Sequence, residues 1–301
     1  MINRMVSLRE ELERRRFFIP VAEGEMSVLR FGAEGAPPLL FAHANGFCAS
    51  AYRQMFEALG DRFDIFGVDL RGYGATKLPA DPRFHRGMDI FAKDICDLMT
   101  ALARRFSIAR KWRLAGHSLG GATMALAAPG RDDVADLRLI EPVAMSRSLA
   151  LLAHTPVWPI IANRMPLVRA ARGRRATWPD RTTVKASYSR KAFFSTWADG
   201  VLDDYLADGL RDDESGVGLS CAPAWEAATF AGQAHDFWGA IKTTKVSITV
   251  LAANHPATST VPGASIRSLE RRGVSVVRVT GLTHLIPQED PVAAADFLAG
   301  D

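Results

Sequence analysis

Ser118 stands in Gly116-His117-Ser118-Leu119-Gly120, a Gly-x-Ser-x-Gly arrangement inside LAGHSLGGATMALA, residues 114–127. A serine between glycines at this spacing suits nucleophilic attack. The glycines let a strand turn sharply into a helix where larger side chains would clash with the packed strand and helix. The turn lifts the Ser118 hydroxyl off the carboxyl end of the strand. It also puts the next backbone N–H at a helix N-terminus, where negative charge is stabilised. Five residues alone are a weak signal. A serine hydroxyl is a poor nucleophile until a base removes its proton, and the attack also needs an acid to orient that base and donors for the oxyanion.

The surrounding pattern supplies the context the motif needs. Residues 17–31 read as two short strands, FFIPVA and MSVLRF, with a turn at Glu23-Gly24. Strands and helices then alternate. PLLFAH (38–43), DIFGVDL (64–70), KWRLAGH (111–117) and ADLRLIEP (135–142) are strands, and SAYRQMFEAL (50–59), DIFAKDICDLMTALARRF (89–106) and the stretch after Ser118 are helices. Alternation resumes late, with strands VSITVLAA (246–253) and VSVVRVT (274–280), helix ASIRSLERR between them and helix DPVAAADFLAG at the end. This order predicts a parallel sheet covered on both faces. Between about 145 and 240 the alternation stops, and the stretch holds five of the six tryptophans and helical patches without strand partners. We read residues 1–144 and 241–301 as one α/β core and 145–240 as a mainly helical cap.

On these residues the chain resembles an α/β-hydrolase. The resemblance rests on AHANGF (42–47), DLRGYG (69–74), GHSLGG (116–121) and GLTHLIPQEDP (281–291), and it covers nearly the whole length. It implies a mostly parallel central sheet flanked by helices, with the insertion where this family carries its cap or lid. His284, in a Gly-x-x-His turn after strand 274–280, lies where the family places its catalytic base. His117 sits beside the serine, but adjacent residues on a tight elbow point apart, which suits a structural role or a place at the pocket. His43 lies at the oxyanion loop.

The acid departs from the common pattern. Many relatives place it after the strand that follows the cap, where this chain reads LAANHPATST; no Asp or Glu occurs from Lys245 through Leu269. The earlier strand ends LRLIEPV, with Glu141 at its carboxyl end, and a branch similar to haloalkane dehalogenases carries the acid there. The order Ser118, Glu141, His284 keeps the Ser…acid…His sequence. A salt-bridged residue at the cap entrance is the other reading of Glu141, and Asp69 is the rival acid, although DLRGYG is more often a structural turn. His255, in the vacated acid position, is a candidate pocket or cap-contact residue. For the oxyanion, one N–H is expected from Leu119. The other is expected from Phe47, because Asn45-Gly46-Phe47 resembles the family's His-Gly-x; the Asn45 side chain is a further candidate donor.

The function expected is that of a serine hydrolase, a carboxylic ester hydrolase or lipase acting through an acyl-enzyme on a small molecule. Serine at the elbow argues against dehalogenase or epoxide-hydrolase chemistry, which on this fold uses an aspartate nucleophile. A carbon–carbon bond hydrolase or a perhydrolase on the same triad is the alternative, with a non-catalytic ligand-binding protein behind it. No cofactor or metal is expected: Cys48, Cys96 and Cys221 lie far apart without ligand spacing and read as free thiols. The net charge of +4 is modest, and no nucleic-acid-reading motif appears. No apolar run approaches the roughly 20 residues of a membrane span. The start, MINRMVSLREELERRRFF, lacks the apolar core of a signal peptide, so a soluble, cytoplasmic protein is expected. The oligomeric state is left open.

The insertion is lopsided in charge. Residues 147–191 carry ten basic residues against Asp180 alone, and residues 199–214 carry seven acids against Arg211 alone. Either the basic half meets anionic substrates or lipid surfaces, or the two halves neutralise each other. The aromatic residues of the insertion suit either an apolar pocket or the cap's own core.

Overall fold

The computed structural model describes residues 2–214, 216–255 and 257–300. Helix α1 (Ile2–Arg15) leads into an antiparallel hairpin of β1 (Arg16–Val21) and β2 (Gly24–Gly32). Then come β3 (Pro38–Ala42), α2 (Arg53–Leu59), β4 (Asp64–Val68), α3 (Asp89–Arg105), β5 (Trp112–His117), α4 (Leu119–Ala127) and β6 (Val134–Ile140). The inserted stretch holds α5 (Arg147–Ala153), α6 (Trp158–Ala162), α7 (Pro166–Arg172), β7 (Thr177–Trp178), α8 (Arg181–Tyr188), α9 (Val201–Asp208), β8 (Leu210–Asp213), β9 (Gly216–Leu219), α10 (Pro223–Ala231) and α11 (Phe237–Thr243). The chain closes with β10 (Ser247–Ala253), α12 (Gly263–Glu270), β11 (Ser275–Val279), α13 (Ile286–Glu289) and α14 (Pro291–Ala299).

Among the described residues, eight strands form one sheet in the order β1-β2-β4-β3-β5-β6-β10-β11. From β4 to β11 every pairing is parallel. Helices cover both faces, so the inner strands show no polar alternation; every residue of β3 and β4 is buried. This is the α/β fold expected from the sequence. Strands β6 and β10 are parallel neighbours although about a hundred residues separate them, so the inserted stretch leaves the sheet at the carboxyl end of β6 and the chain re-enters it at the amino end of β10.

Three features go beyond the sequence expectations. The charged first residues form α1, whose Leu12 is buried in the core. The inserted stretch is not wholly helical: β7, β9 and β8 make a small antiparallel sheet. Its strands are too short, charged and glycine-rich to show apolar alternation, which is why sequence periodicity misses them. Lastly, Phe237, Trp238 and Ile241 of α11 pack in the main core, so that core takes in residues before 241.

The junction of β5, α4 and β3 leaves no space for side chains. A Cβ at Gly120 would collide with the Ala42 carbonyl, and one at Gly116 would meet the backbone of Gly120. Helix α4 therefore lies directly on the end of β3. Backbone atoms on both sides prevent relief by rotamer change. Gly120→Ala is expected to destabilise the fold by about 3 kcal/mol, the upper end of the usual overpacking range. Chemical denaturation checks this; a wild-type midpoint would contradict the packing described.

Candidate active site

Strand β5 passes into α4 through Ser118 alone, whose backbone sits at φ 55°, ψ −112°. Positive φ is uncommon outside glycine and carries strain. Neighbours hold the residue there: the Ser118 N–H donates to the Ile140 carbonyl at 2.9 Å, and its own carbonyl accepts from Ala122 and Val143. The Ser118 hydroxyl has no hydrogen-bond partner among the described residues, His284 included; such contacts often form only with substrate bound. Leu119 is the first residue of α4, so its N–H has no partner within the helix.

Glu141 follows the end of β6, also at positive φ (46°), and is wholly buried. Its Oε1 accepts from Ala253 N–H at 2.7 Å and Ser259 Oγ at 2.8 Å; its Oε2 accepts from Thr260 N–H at 2.7 Å and His284 Nδ1 at 3.1 Å. Burial alone raises a carboxyl pKa. The hydrogen bond and charge of His284, then Ser259 and the Thr260 N–H, outweigh burial and hold Glu141 below its ordinary value. An ionised carboxylate only accepts, so Nδ1 of His284 carries the proton and Nε2 is left as the basic nitrogen. Asp69, the rival acid, is spent elsewhere: it accepts from the Ala49 N–H at 2.8 Å and the Ala75 N–H at 3.0 Å and braces the turn after β4. Within the stretch that lacks a carboxylate, Ala253, Ser259 and Thr260 serve as the cradle for the Glu141 carboxylate. His255 is exposed, and its carbonyl starts the turn that brings Ser259 to Glu141; it does not line the cavity described below.

His117 is fully buried and belongs to the frame rather than to a pocket. Its Nε2 lies 2.8 Å from the His284 carbonyl, which can only accept, so Nε2 bears the hydrogen. Its Nδ1 then accepts from Tyr52 Oη at 2.8 Å, and Tyr52 Oη accepts from the Ala44 N–H at 3.0 Å. Burial, then the charge of His284, depress its pKa well below the ordinary value, so it stays neutral. One imidazole thus ties the loop after β3, the elbow and the loop bearing His284. Tyr52 gave no signal in the sequence, because nothing local marks a tyrosine that bonds across 65 residues.

The loop after β3 corrects one expectation. The Phe47 N–H donates to the Ala44 carbonyl at 3.1 Å, so it is not an available oxyanion donor. The Ala44 N–H is taken by Tyr52. Among the described residues, nothing accepts from the Asn45 or Gly46 N–H. The Asn45 side chain is tied down at both ends: Oδ1 accepts from Tyr73 Oη at 2.6 Å, and Nδ2 donates to the Glu226 carbonyl at 3.2 Å. His43 is buried, accepts from the Leu70 N–H and donates to the Ala44 carbonyl. It shapes the loop, which makes His43-Ala44-Asn45 the better reading of the turn. A cavity of about 310 Å³ opens against Asn45, Gly46 and Phe47, walled by aromatic side chains of the inserted stretch.

The charge halves of the insertion meet only in part. Arg181 pairs with Asp212 and Lys185 with Asp203, but Asp204 pairs with Arg53 and Asp208 with Arg16, outside the insertion. No helix among the described residues is long and apolar enough to cross a membrane, and no cluster of side chains there could hold a metal ion.

The low pKa of Glu141 gives a pH-dependent stability. A carboxyl whose pKa is depressed on folding contributes fully above its unfolded value and loses that contribution as pH falls through the folded value. Glu141→Gln leaves donors of the cradle unpaired and is expected to destabilise by about 2 kcal/mol at pH 7. The gap from wild type should shrink as pH falls below the ordinary 4.5. Thermal unfolding of both proteins from pH 7 to pH 3 checks this; a constant gap would count against an ionised Glu141.

The chain was compared with known proteins. A family model described as Alpha/beta hydrolase family matches residues 39–297. Protein phosphatase methylesterase 1 of Schizosaccharomyces pombe is 26% identical over 132 residues, a match that takes in 42% of this chain and 36% of that protein. The structure of E-2-(acetamidomethylene)succinate hydrolase superposes with a TM-score of 0.77 at 20% identity, over 95% of this chain and 97% of that one. A thermophilic esterase from Thermogutta terrifontis superposes with a TM-score of 0.62 at 19% identity, over 93% and 95% of the two chains. At these identities the structural likeness is one of fold. The family match is of another kind, for it runs from β3 to α14 and encloses the elbow, Glu141 and His284: this chain belongs to the Alpha/beta hydrolase family.

Proposed function

We propose that the protein is a serine hydrolase that cleaves an ester-like bond of a small or medium-sized apolar substrate through an acyl-enzyme. Ser118 attacks the carbonyl carbon while His284 Nε2 takes the hydroxyl proton. The N–H groups of Leu119 and Asn45 hold the oxyanion. His284 then protonates the leaving group, takes a proton from the water that attacks the acyl carbon, and returns it to Ser118 Oγ as the acid leaves. Glu141 sets the tautomer of His284 and stabilises the imidazolium formed in each step. No step calls on a metal or an organic cofactor. Residues 145–240 act as the cap, and their aromatic side chains form the substrate cavity.

The observation that carries this reading is the contact of buried Glu141 with His284, on the same sheet edge as a serine held at positive φ. Strain of this kind persists where the surroundings over-determine it, and that is common at catalytic elbows. The moved oxyanion donor supports the reading too. Asn45 is held by Tyr73 and Glu226, so its N–H is fixed before substrate arrives, which is what preorganised stabilisation requires. The methylesterase and the esterase among the relatives are both named for ester cleavage.

A fluorophosphonate probe is expected to label wild type and not Ser118→Ala. p-Nitrophenyl esters of increasing chain length should be hydrolysed by wild type, with the optimum length sizing the cavity. Glu141→Gln should keep the label site but lower kcat by a factor of about a thousand or more, as expected when the tautomer-setting acid is neutralised. A folded wild type that neither labels nor hydrolyses any ester would end this reading, and near-full activity in Glu141→Gln would end the role given to Glu141.

A further inference from the structure

The cavity beside Asn45–Phe47 is aromatic but not neutral. Its walls include Phe47, Phe194, Trp197, Tyr205 and Phe230, and three charged side chains reach it: Arg174, Glu226 and Lys191. Phe47 and Trp197 stack with ring centroids 5.7 Å apart, and Tyr188 stacks on Phe194 at 4.9 Å. These are flat, rigid surfaces suited to a hydrocarbon chain or a ring.

Within this wall the charges do not balance. Glu226 is fully engaged by Arg174, whose Nη1 lies 2.8 Å from one carboxylate oxygen and 2.6 Å from the other. The second guanidinium nitrogen of Arg174 faces the hydroxyls of Tyr188 and Tyr205 at 3.3 and 3.4 Å. The pair presses on the oxyanion loop: a Cβ at Gly46 would stand 2.8 Å from Glu226 Oε1 and 3.3 Å from Arg174 Nη1. Lys191 stands over the Tyr188 ring, its Nζ 4.3 Å from the centroid. Among the described residues no carboxylate pairs with it. Burial, then the repulsion of Arg174, lower its pKa. Two cations therefore line this mostly aromatic cavity with one carboxylate between them, and the second cation, Lys191, is exposed to solvent. An anion that reaches this ammonium from solution gains a charge-assisted hydrogen bond to it.

We infer that this cavity binds a remote carboxylate of the substrate, with the Lys191 ammonium as its counter-ion and the aromatic walls holding the chain that joins it to the ester. The preferred substrate class is then the half ester of a dicarboxylic acid rather than a neutral ester. This rests on the ester-hydrolase reading above and narrows it. Glu226 disfavours a carboxylate placed against Arg174, so the anion is directed to Lys191 instead. Arg174 acts as a positioning residue: it neutralises Glu226 and supports Gly46.

Mono-p-nitrophenyl esters of succinic to suberic acid should be compared with neutral p-nitrophenyl esters of equal chain length. At the best length, kcat/KM for the half ester should exceed that of its neutral counterpart by about tenfold or more, the effect of one charge-assisted hydrogen bond. The difference should lie mainly in KM and shrink with added salt. Lys191→Met should abolish the preference and Lys191→Arg should retain it. A ratio at or below one at every length, or one unchanged in Lys191→Met, overturns the inference while leaving the ester reading intact. Binding of free adipate gives a second readout that needs no turnover. It should raise the melting temperature of wild type and not of Lys191→Met. Equal shifts, or none in either, overturn the anion site even if the chain proves not to hydrolyse esters.

Discussion

The site depends on the register between β5 and β6. His117 lies opposite Ile140 in that ladder, so the next residue of each strand, Ser118 and Glu141, leaves the sheet at the same level. The Ser118 N–H closes the ladder onto the Ile140 carbonyl, and the Glu141 N–H continues the adjoining ladder onto the Leu251 carbonyl. Both residues then take positive φ, which turns the chain out of the sheet at once. A slip of one residue would send each side chain to the opposite face. The glycines at 116 and 120 allow the close approach of α4 that makes this exit possible.

A carboxylate placed at that level has to be made tolerable inside the protein. Glu141 has no exposure to water, and an isolated buried charge would protonate instead. Its two oxygens replace water with donors from Ala253, Ser259, Thr260 and His284. The backbone donors come from the end of β10 and the loop after it, which are fixed by the sheet. The arrangement therefore orients His284 and keeps Glu141 ionised by the same set of bonds.

His117 and the insertion complete the frame. The chain of bonds from Ala44 through Tyr52 and His117 to the His284 carbonyl joins three loops from three parts of the sequence. From the other side, the acidic half of the insertion is fastened to the core by Asp204–Arg53 and Asp208–Arg16. Asn45 meets the insertion through Glu226. The backbone around the serine is thereby held from several sides, while most of the cavity wall is made from residues of the insertion.

The sequence by itself determined the eight-stranded alternation, the elbow at Ser118, and the candidate acid and base. These are written locally: apolar runs bounded by turns, glycines at fixed spacing, one carboxylate and one histidine at strand ends. The tertiary structure decided what depends on partners far along the chain. It spent the Phe47 N–H within its own turn and left that of Asn45 without a partner among the described residues, gave Asp69 to a structural brace, left His255 at the surface, and built a small sheet in the insertion from strands too short to show a period. It also brought Arg174 to Glu226 across 52 residues and placed Lys191 where, among the described residues, no carboxylate pairs with it. Donors are free or taken, and charges balanced or not, only once the chain has closed on itself, because a hydrogen bond or ion pair is a property of two groups in space and each residue's type fixes only one of them.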